Sequence, residues 1–529
     1  APADGRTLTT YTSFNMDTEA TVVLGVNARC GSPWPVSRSV VDGVRPSAGA
    51  KHLVPSKPAA VLASAAAIGG FRRICTAKRK TQTSKRGSIT AIHASEAEVQ
   101  ADFISCCSMA PNWEDAVEEV AKEAGTGFEA AFVFVSELYV DQAKGMAAVL
   151  EKLQQRLDVE HVVGGACAGA IGQSTGKMAS DFAGGERQPL EAENGFVLSV
   201  AVLRSAGAVP FFIGAKAEGD VQLVNRMAES GEVRSMVLLA DPFGPVEDIM
   251  SSLDESFPKV PKAGGITAAL QVGAQGRASF MPSMAICSRG NKARLLSQGI
   301  GGLMLTQMDV HTVVCQGCLG VGPAVRITNV SGPVCTGIGG RPAKEALILI
   351  YRAVEEELRQ KMNTNLVVGL GRPGESETSV GDGDWLIRGI SEVTPNGSFV
   401  LGHGIQEGQP LRFHVRDRES AETDLGLMLN RYRLERTFSG SKEPIGCLLF
   451  TCNGRGQGLY GRQHVDARAL QEALGSDLGE RVSGFFCNGE IGSPGLALPA
   501  ADLSEREEVR KTALHGFTAV FAMFVPAKS

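Results

Sequence analysis

Cys452-Asn453-Gly454 and Cys487-Asn488-Gly489 repeat one triplet at the ends of two apolar runs, Ile445 to Thr451 and Val482 to Phe486. Both runs read as buried strands, so each triplet falls where a strand gives way to a glycine-bearing turn, a usual place for a binding site in an α/β chain. Opposite charges follow directly, Arg455 after the first triplet and Glu490 after the second. The planar fork of Arg455 could hold a carboxylate or phosphate, while Glu490 could receive an amine or orient Arg455. Asn453 and Asn488 would add donors and acceptors, and the glycines would let a small ligand approach the backbone. This set suits an amino-acid-like ligand. The same residues also suit a structural ion pair between Arg455 and Glu490 beside the strand ends.

Other spellings suggest other chemistry. Gly165-Ala166-Cys167-Ala168-Gly169 has the nucleophile-elbow pattern with Cys in place of Ser, and His515 as base with Glu490 as orienting carboxylate would complete a cysteine-dependent hydrolase. The residues after Gly169 have loop composition, however, where an elbow needs a helix, and close backbone approach explains the same small residues. Gly369-Leu370-Gly371-Arg372-Pro373-Gly374 fits a dinucleotide pattern, yet the Gly- and acid-rich stretch that follows offers no helix N-terminus to a pyrophosphate. Cys315 and Cys318 have metal-like spacing, with His311 four residues earlier and Cys335 beyond, but no second pair completes four zinc ligands. No metal is expected.

These residues need a scaffold, and alternating periodicities supply it. Trp113, Ala116, Val117, Val120, Ala121 and Ala124 recur at helical spacing, as do Met146, Val149, Leu150, Leu153 and Leu157. Ala130 to Val135, the run from His161, Phe196 to Leu203, Met236 to Ala240 and Phe280 to Cys287 read as strands, with Val246 to Leu253 helical. Further on, Pro342 to Met362 reads as one helix, followed by strands at Leu366 to Val368, Trp385 to Ile390, Ser398 to Leu401 and Leu411 to Val415, and by a helix around Ala421 to Tyr432. Gly172 to Asn194 and Arg372 to Asp384 read as surface loops. The pattern predicts a mixed α/β fold of two mixed-sheet halves with covering helices.

Composition bounds the partners. The chain has 529 residues, 43% of them hydrophobic, enough for two or three units with real cores. Residues 1–95 carry 13 Lys or Arg against 4 acidic residues, with no acid between Gly43 and Ser95. That reads as a disordered transit or targeting segment, for the chloroplast or another plastid, with mitochondrion or cytoplasm as alternatives. Residues 96–529 carry 39 basic and 53 acidic residues, a balance that disfavours nucleic acid. The apolar stretch Ala59 to Gly70 is shorter than the roughly 20 residues a membrane span needs. The cysteines lie in apolar runs without a secreted framework's spacing, so reduced, buried thiols are the expectation.

Three blocks in order, Phe450-Thr451-Cys452-Asn453-Gly454-Arg455-Gly456, Gly484 to Gly492, and Leu514-His515-Gly516-Phe517-Thr518, resemble the C-terminal half of the FIST domain. Gly164 to Gly169, Ala240-Asp241-Pro242-Phe243 and Ala263-Gly264-Gly265 are similar to blocks of its N-terminal half. Leu386-Ile387-Arg388-Gly389 with Glu407-Gly408 is similar to the middle of the C-terminal half. The resemblance implies an N-terminal half over 105–298, a C-terminal half over 299–526, and a sensory, signal-transducing module that binds a small molecule through Asn453, Arg455, Asn488, Glu490 and His515. Such a module would signal to a protein partner by changing its contacts. Some bacterial FIST proteins are haem-based nitric-oxide sensors, so the resemblance also implies a haem alternative with His515, His403 or His464 as ligand. No cofactor is otherwise expected.

Overall fold

The computed structural model describes residues 102–175, 189–216, 219–272, 279–381, 383–402 and 404–527, together with two short paired strands, Thr12–Ser13 and Val23–Leu24. The rest of the expected targeting segment lies outside the described residues, as do His403 and part of the first acidic loop, 176–188.

One supersecondary unit occurs three times. The first copy runs strand Phe103–Ser108, helix Trp113–Ala124, strand Ala130–Ser136, helices Glu137–Gln142 and Met146–Leu157, strand His161–Cys167, hairpin Gly169–Gln173 with Pro189–Glu193, and strand Leu198–Leu203. The second repeats this order through Ala208–Gly214, Val221–Ser230, Ser235–Ala240, Val246–Ser256, Lys262–Ile266, the hairpin of Met284–Ser288 with Arg294–Leu296, and Gly299–Leu305. The third starts at Met308–Cys315 and resumes after an insertion with Arg418–Ser439, Gly446–Cys452, three short helices over 456–479, Val482–Cys487, the paired strands Glu490–Gly492 and Ala513–His515, and Ala519–Pro526. In every copy the second and third strands are parallel and joined by a helical crossover, while the last strand lies antiparallel between the first and second.

Each hairpin leaves its own sheet and joins another. Gly169–Gln173 adds to Val482–Cys487, Glu490–Gly492 adds to Lys262–Ile266, and Met284–Ser288 adds to His161–Cys167. The exchange is cyclic, so three mixed sheets close around one shared core that includes Phe132, Phe134, Val237, Leu239, Phe450 and Phe485. The opposite face of each sheet lies under its own helices, on separate apolar clusters. An amphipathic helix and a two-faced sheet can bury their apolar surfaces only in such layers. A glycine recurs at one level of the third strand in each copy. Gly164, Gly264 and Gly484 stand opposite Val133, Leu238 and Leu449 respectively. A Cβ at Gly264 or Gly484 would fall on the carbonyl oxygen of that partner.

Between Cys315 and Arg418 the third copy carries an inserted sheet built on the 14-residue strand Cys318–Ser331, with its own core. The helix expected over 342–362 is two, Ala343–Ala353 and Glu356–Asn365, because Val354 adopts an extended backbone. The expected loop Gly172 to Asn194 is bounded by paired strands, since Gln173 and Pro189 stand in register. Strand Gly299–Leu305 bonds to Ser235–Ala240 and Ala208–Gly214, so pairing runs across position 298. The mixed α/β class holds throughout, and no helix among the described residues is long and apolar enough to cross a membrane.

Candidate functional site

Strands Gly446–Cys452 and Val482–Cys487 are parallel, and Cys452 stands opposite Cys487, so the two Cys-Asn-Gly triplets emerge side by side. Neighbouring strands lie only about 4.8 Å apart, which lets the two amides meet. Asn453 Nδ2 donates to Asn488 Oδ1 at 2.8 Å, and Asn488 Nδ2 donates to the Thr267 carbonyl at 2.9 Å. Thr267 Oγ1 lies 2.7 Å from Ser283 Oγ, which reaches Asp241 Oδ2 at 3.4 Å. A polar chain thus crosses from the third repeat to the second. Asn453, Gly454, Asn488, Gly516 and Phe517 are each partly exposed, so this end of the chain opens toward solvent.

Arg455 is wholly buried, and its partner is not Glu490. Its Nε and Nη2 donate to the two oxygens of Asp466 at 3.0 and 2.9 Å. Nη2 also meets the Tyr460 hydroxyl, and Nη1 reaches the Phe517 carbonyl at 3.3 Å. Asp466 further accepts from Thr451 Oγ1 at 2.6 Å and Tyr460 OH at 2.8 Å. Burial alone would raise the Asp466 carboxyl, but the charge and bonds of Arg455, with those of Thr451 and Tyr460, hold it below the usual carboxylate range. The Nε–Nη2 edge of the fork is therefore occupied within the chain.

Glu490 sits on the inner face of its strand, opposite Gly265 and His515. The corresponding places in the other two copies carry Met284, opposite Gly165, and Ala170, opposite Phe485, both in the shared core. A carboxyl here replaces an apolar side chain. Its Oε2 accepts from Thr518 N at 3.2 Å and Thr518 Oγ1 at 2.7 Å, while Oε1 has no hydrogen-bond partner. Burial pushes its pKa up to about 8, so the group is mostly protonated at neutral pH. His515 Nε2 lies 3.0 Å from the Gly492 carbonyl, which makes Nε2 the protonated nitrogen and leaves Nδ1 an acceptor without a partner. Burial lowers the His515 pKa to about 4. Phe517, two residues on, holds a left-handed backbone at φ 66° under the Arg416 guanidinium, which also donates to the Gly454 carbonyl.

Cys167 ends its strand inside the shared core with no exposed surface, and burial raises its thiol well above the ordinary value. A thiolate nucleophile needs an electropositive, partly exposed setting, which this position lacks. The Cys315 group does not converge either. His311 Nδ1 faces Tyr432 OH at 3.2 Å, Cys335 Sγ turns to the Gly337 carbonyl at 3.7 Å, and among the described residues no group of three or more His, Cys, Asp or Glu could hold a metal. Of the histidines named for haem, His515 is buried with Nε2 bonded to the Gly492 carbonyl, and His464 Nδ1 accepts from Glu191 N at 2.9 Å.

The sequence reading missed Asp466, Tyr460 and Glu191. Asp466 is in phase with Leu470 and Ala473 on the buried stripe of helix Val465–Leu474, and a carboxylate on such a stripe demands a partner. Glu191 accepts from Ala467 N at 2.7 Å, and burial with the neighbouring Asp466 raises its pKa to about 8. Its segment had no strand signal of its own.

Comparison with protein families matches the FIST N domain to residues 129–341 and the FIST C domain to residues 345–493. The chain belongs to the FIST family. FIST domains are recognised as sensory and signal-transduction modules. The two FIST matches do not coincide with the three repeats: the first runs into the inserted sheet, and the second ends at Ser493, before the strands that carry His515 and complete the third sheet. An uncharacterized protein of Mycobacterium tuberculosis is 34% identical over 232 residues, covering 44% of this chain and 55% of its own length. One of Mycobacterium bovis is 34% identical over 235 residues, covering 44% and 54%. The chain spans about half the length of the curated relatives it matches.

Proposed function

We propose that this FIST protein is a sensor whose small polar ligand binds at the paired Cys-Asn-Gly strand ends, through Asn453, Asn488 and the Glu490–His515 pair. The observation that carries the reading is the pair of unpartnered atoms, Glu490 Oε1 and His515 Nδ1, on directly opposed residues of one inner sheet face. Buried polar atoms are nearly always partnered, so two orphans on one face favour an absent hydrogen-bonding group. With Glu490 protonated and His515 neutral, the complementary group both accepts and donates, as a hydroxyl, an amide or a neutral amine does.

An amino-acid-like ligand remains the preferred class, with a changed role for Arg455. Asp466 already neutralises its fork, so Arg455 holds the Phe517 carbonyl and thereby the turn that carries Thr518 and His515. The ligand's carboxylate meets the asparagine amides instead. Binding that orders the Gly516–Phe517 turn would alter the adjoining surface and its contacts with a partner protein, provided the two states differ in ligand affinity. Plastid delivery is supported by the acid-poor, basic composition of residues 43–95.

The test is a thermal-shift screen of the full chain against amino acids, nucleotides, organic acids and haem. A ligand at a hundredfold excess over its Kd stabilises the native state by about 2.7 kcal/mol. An amino-acid or amide hit lost in Asn453→Ala and weakened in Glu490→Ala supports the reading. A hit unaffected by either variant overturns the site, and a Soret band with a haem-specific shift overturns the ligand class.

A further inference from the structure

Helix Arg418–Ser439 spans 22 residues, and one side packs on the third repeat through Ala421, Leu425, Met428, Leu429 and Tyr432. Its outer side is unusual for a surface helix. Leu427, Leu434 and Phe438 are 66%, 54% and 88% exposed. At 100° per residue these three side chains fall within about 40° of one another, and isolated exposed leucines elsewhere do not line up in this way. With Arg431 between them, the positions 427, 431, 434 and 438 have the four-three-four spacing of a coiled-coil seam. Arg431 Nε bonds Glu435 Oε1 at 2.6 Å, so the one charge on the seam carries its own counterion one turn along the helix.

We propose that this seam is the two-fold interface of a homodimer, in which the helix pairs antiparallel with the same helix of a second copy. Self-complementarity selects that occupant. An antiparallel two-fold axis between residues 432 and 433 sets Leu427 level with Phe438 of the second copy and Arg431 level with Leu434, and the same contacts recur on the other side of the axis. The aliphatic stem of each Arg431 covers the facing leucine, while the four charges of two Arg431 and two Glu435 meet as an alternating, net-neutral cluster at the centre. A parallel pairing would place the two arginines at one level, with like charges opposed. An acidic or basic partner would find no net charge on the seam to read. The seam covers about three helical turns, below the area of a permanent dimer, so association is reversible. It lies apart from the proposed ligand site.

Sedimentation velocity on the full chain across a concentration series tests this. A monomer–dimer transition is expected, shifted on the order of a hundredfold toward monomer by Phe438→Ala, because each dimer buries two such rings. Arg431→Glu and Glu435→Arg should each dissociate the dimer, and the double variant should restore it. That rescue separates the interface from a structural role, since both residues are solvent-exposed in the monomer and neither change alters the fold. A chain monomeric throughout the series overturns the proposal. A dimer indifferent to Phe438→Ala overturns it too, as does a seam shielded from solvent in the monomer by another segment of the same chain.

Discussion

Exchanging Asp466 for Asn removes one charge from a site with no access to water. Arg455 and Asp466 expose essentially none of their side-chain surface, and the pair is bidentate with a third bond to the Phe517 carbonyl. Asn keeps the shape and one acceptor but leaves the guanidinium uncompensated. Breaking a buried ion pair from one side costs about 3–5 kcal/mol. The matched change Glu490→Gln should cost far less. At neutral pH folding forces a proton onto Glu490 that the unfolded carboxylate lacks, a penalty Gln does not carry, and the Gln carbonyl still accepts from Thr518, so the change should be neutral or stabilising at pH 7. Urea unfolding followed by circular dichroism at pH 7, with both variants against the parent chain, reads the two effects as midpoint shifts. Equal losses, or a larger one for Glu490→Gln, would refute the assignment of Asp466 as the counterion and return that role to Glu490.

Stability should also depend on pH through the same residues. Burial pushes the folded pKa of Glu490 up to about 8 and raises that of Glu191 as well, so the Glu490 contribution is complete below about pH 4.5 and is lost as pH rises toward 8, with Glu191 acting in the same direction. Glu490→Gln should flatten that fall by about 1.4 kcal/mol per pH unit at its steepest, measured from urea midpoints at several pH values. His515, depressed to about 4, acts oppositely: its contribution is present above about pH 6.5 and is lost as pH falls toward 4, and His515→Gln should remove that acid limb. Cys167 should resist thiol reagents in the native chain and react only on unfolding, which mass spectrometry of labelled peptides would read; native labelling at Cys167 would contradict its burial. Gly264→Ala and Gly484→Ala place a methyl on a carbonyl of the neighbouring strand and should each destabilise by at least about 1–3 kcal/mol, whereas Gly458→Ala, in open space, should be silent in the same unfolding assay.

The sequence by itself determined the local elements and the family. Periodic apolar residues placed Trp113–Ala124, Met146–Leu157 and the strands before each Cys-Asn-Gly triplet, because burial of one face imposes a period of 3.6 or 2 whatever the surroundings. The repeated triplets marked a shared strand end, and the register of Cys452 with Cys487 makes them neighbours. The three-part blocks carried the FIST assignment. Tertiary structure alone decided who pairs with whom. A charged residue's type and spacing cannot select among Asp466, Glu490 and Glu191 as the partner of Arg455, since that choice rests on which crossover folds over which strand end. The threefold exchange of hairpins was equally silent, because a strand's own sequence records that it has a buried face and not which sheet supplies the neighbour. Position 170, 284 or 490 becomes comparable only once strand register aligns the copies. Then Glu490 stands out as the carboxyl on a face that is otherwise apolar.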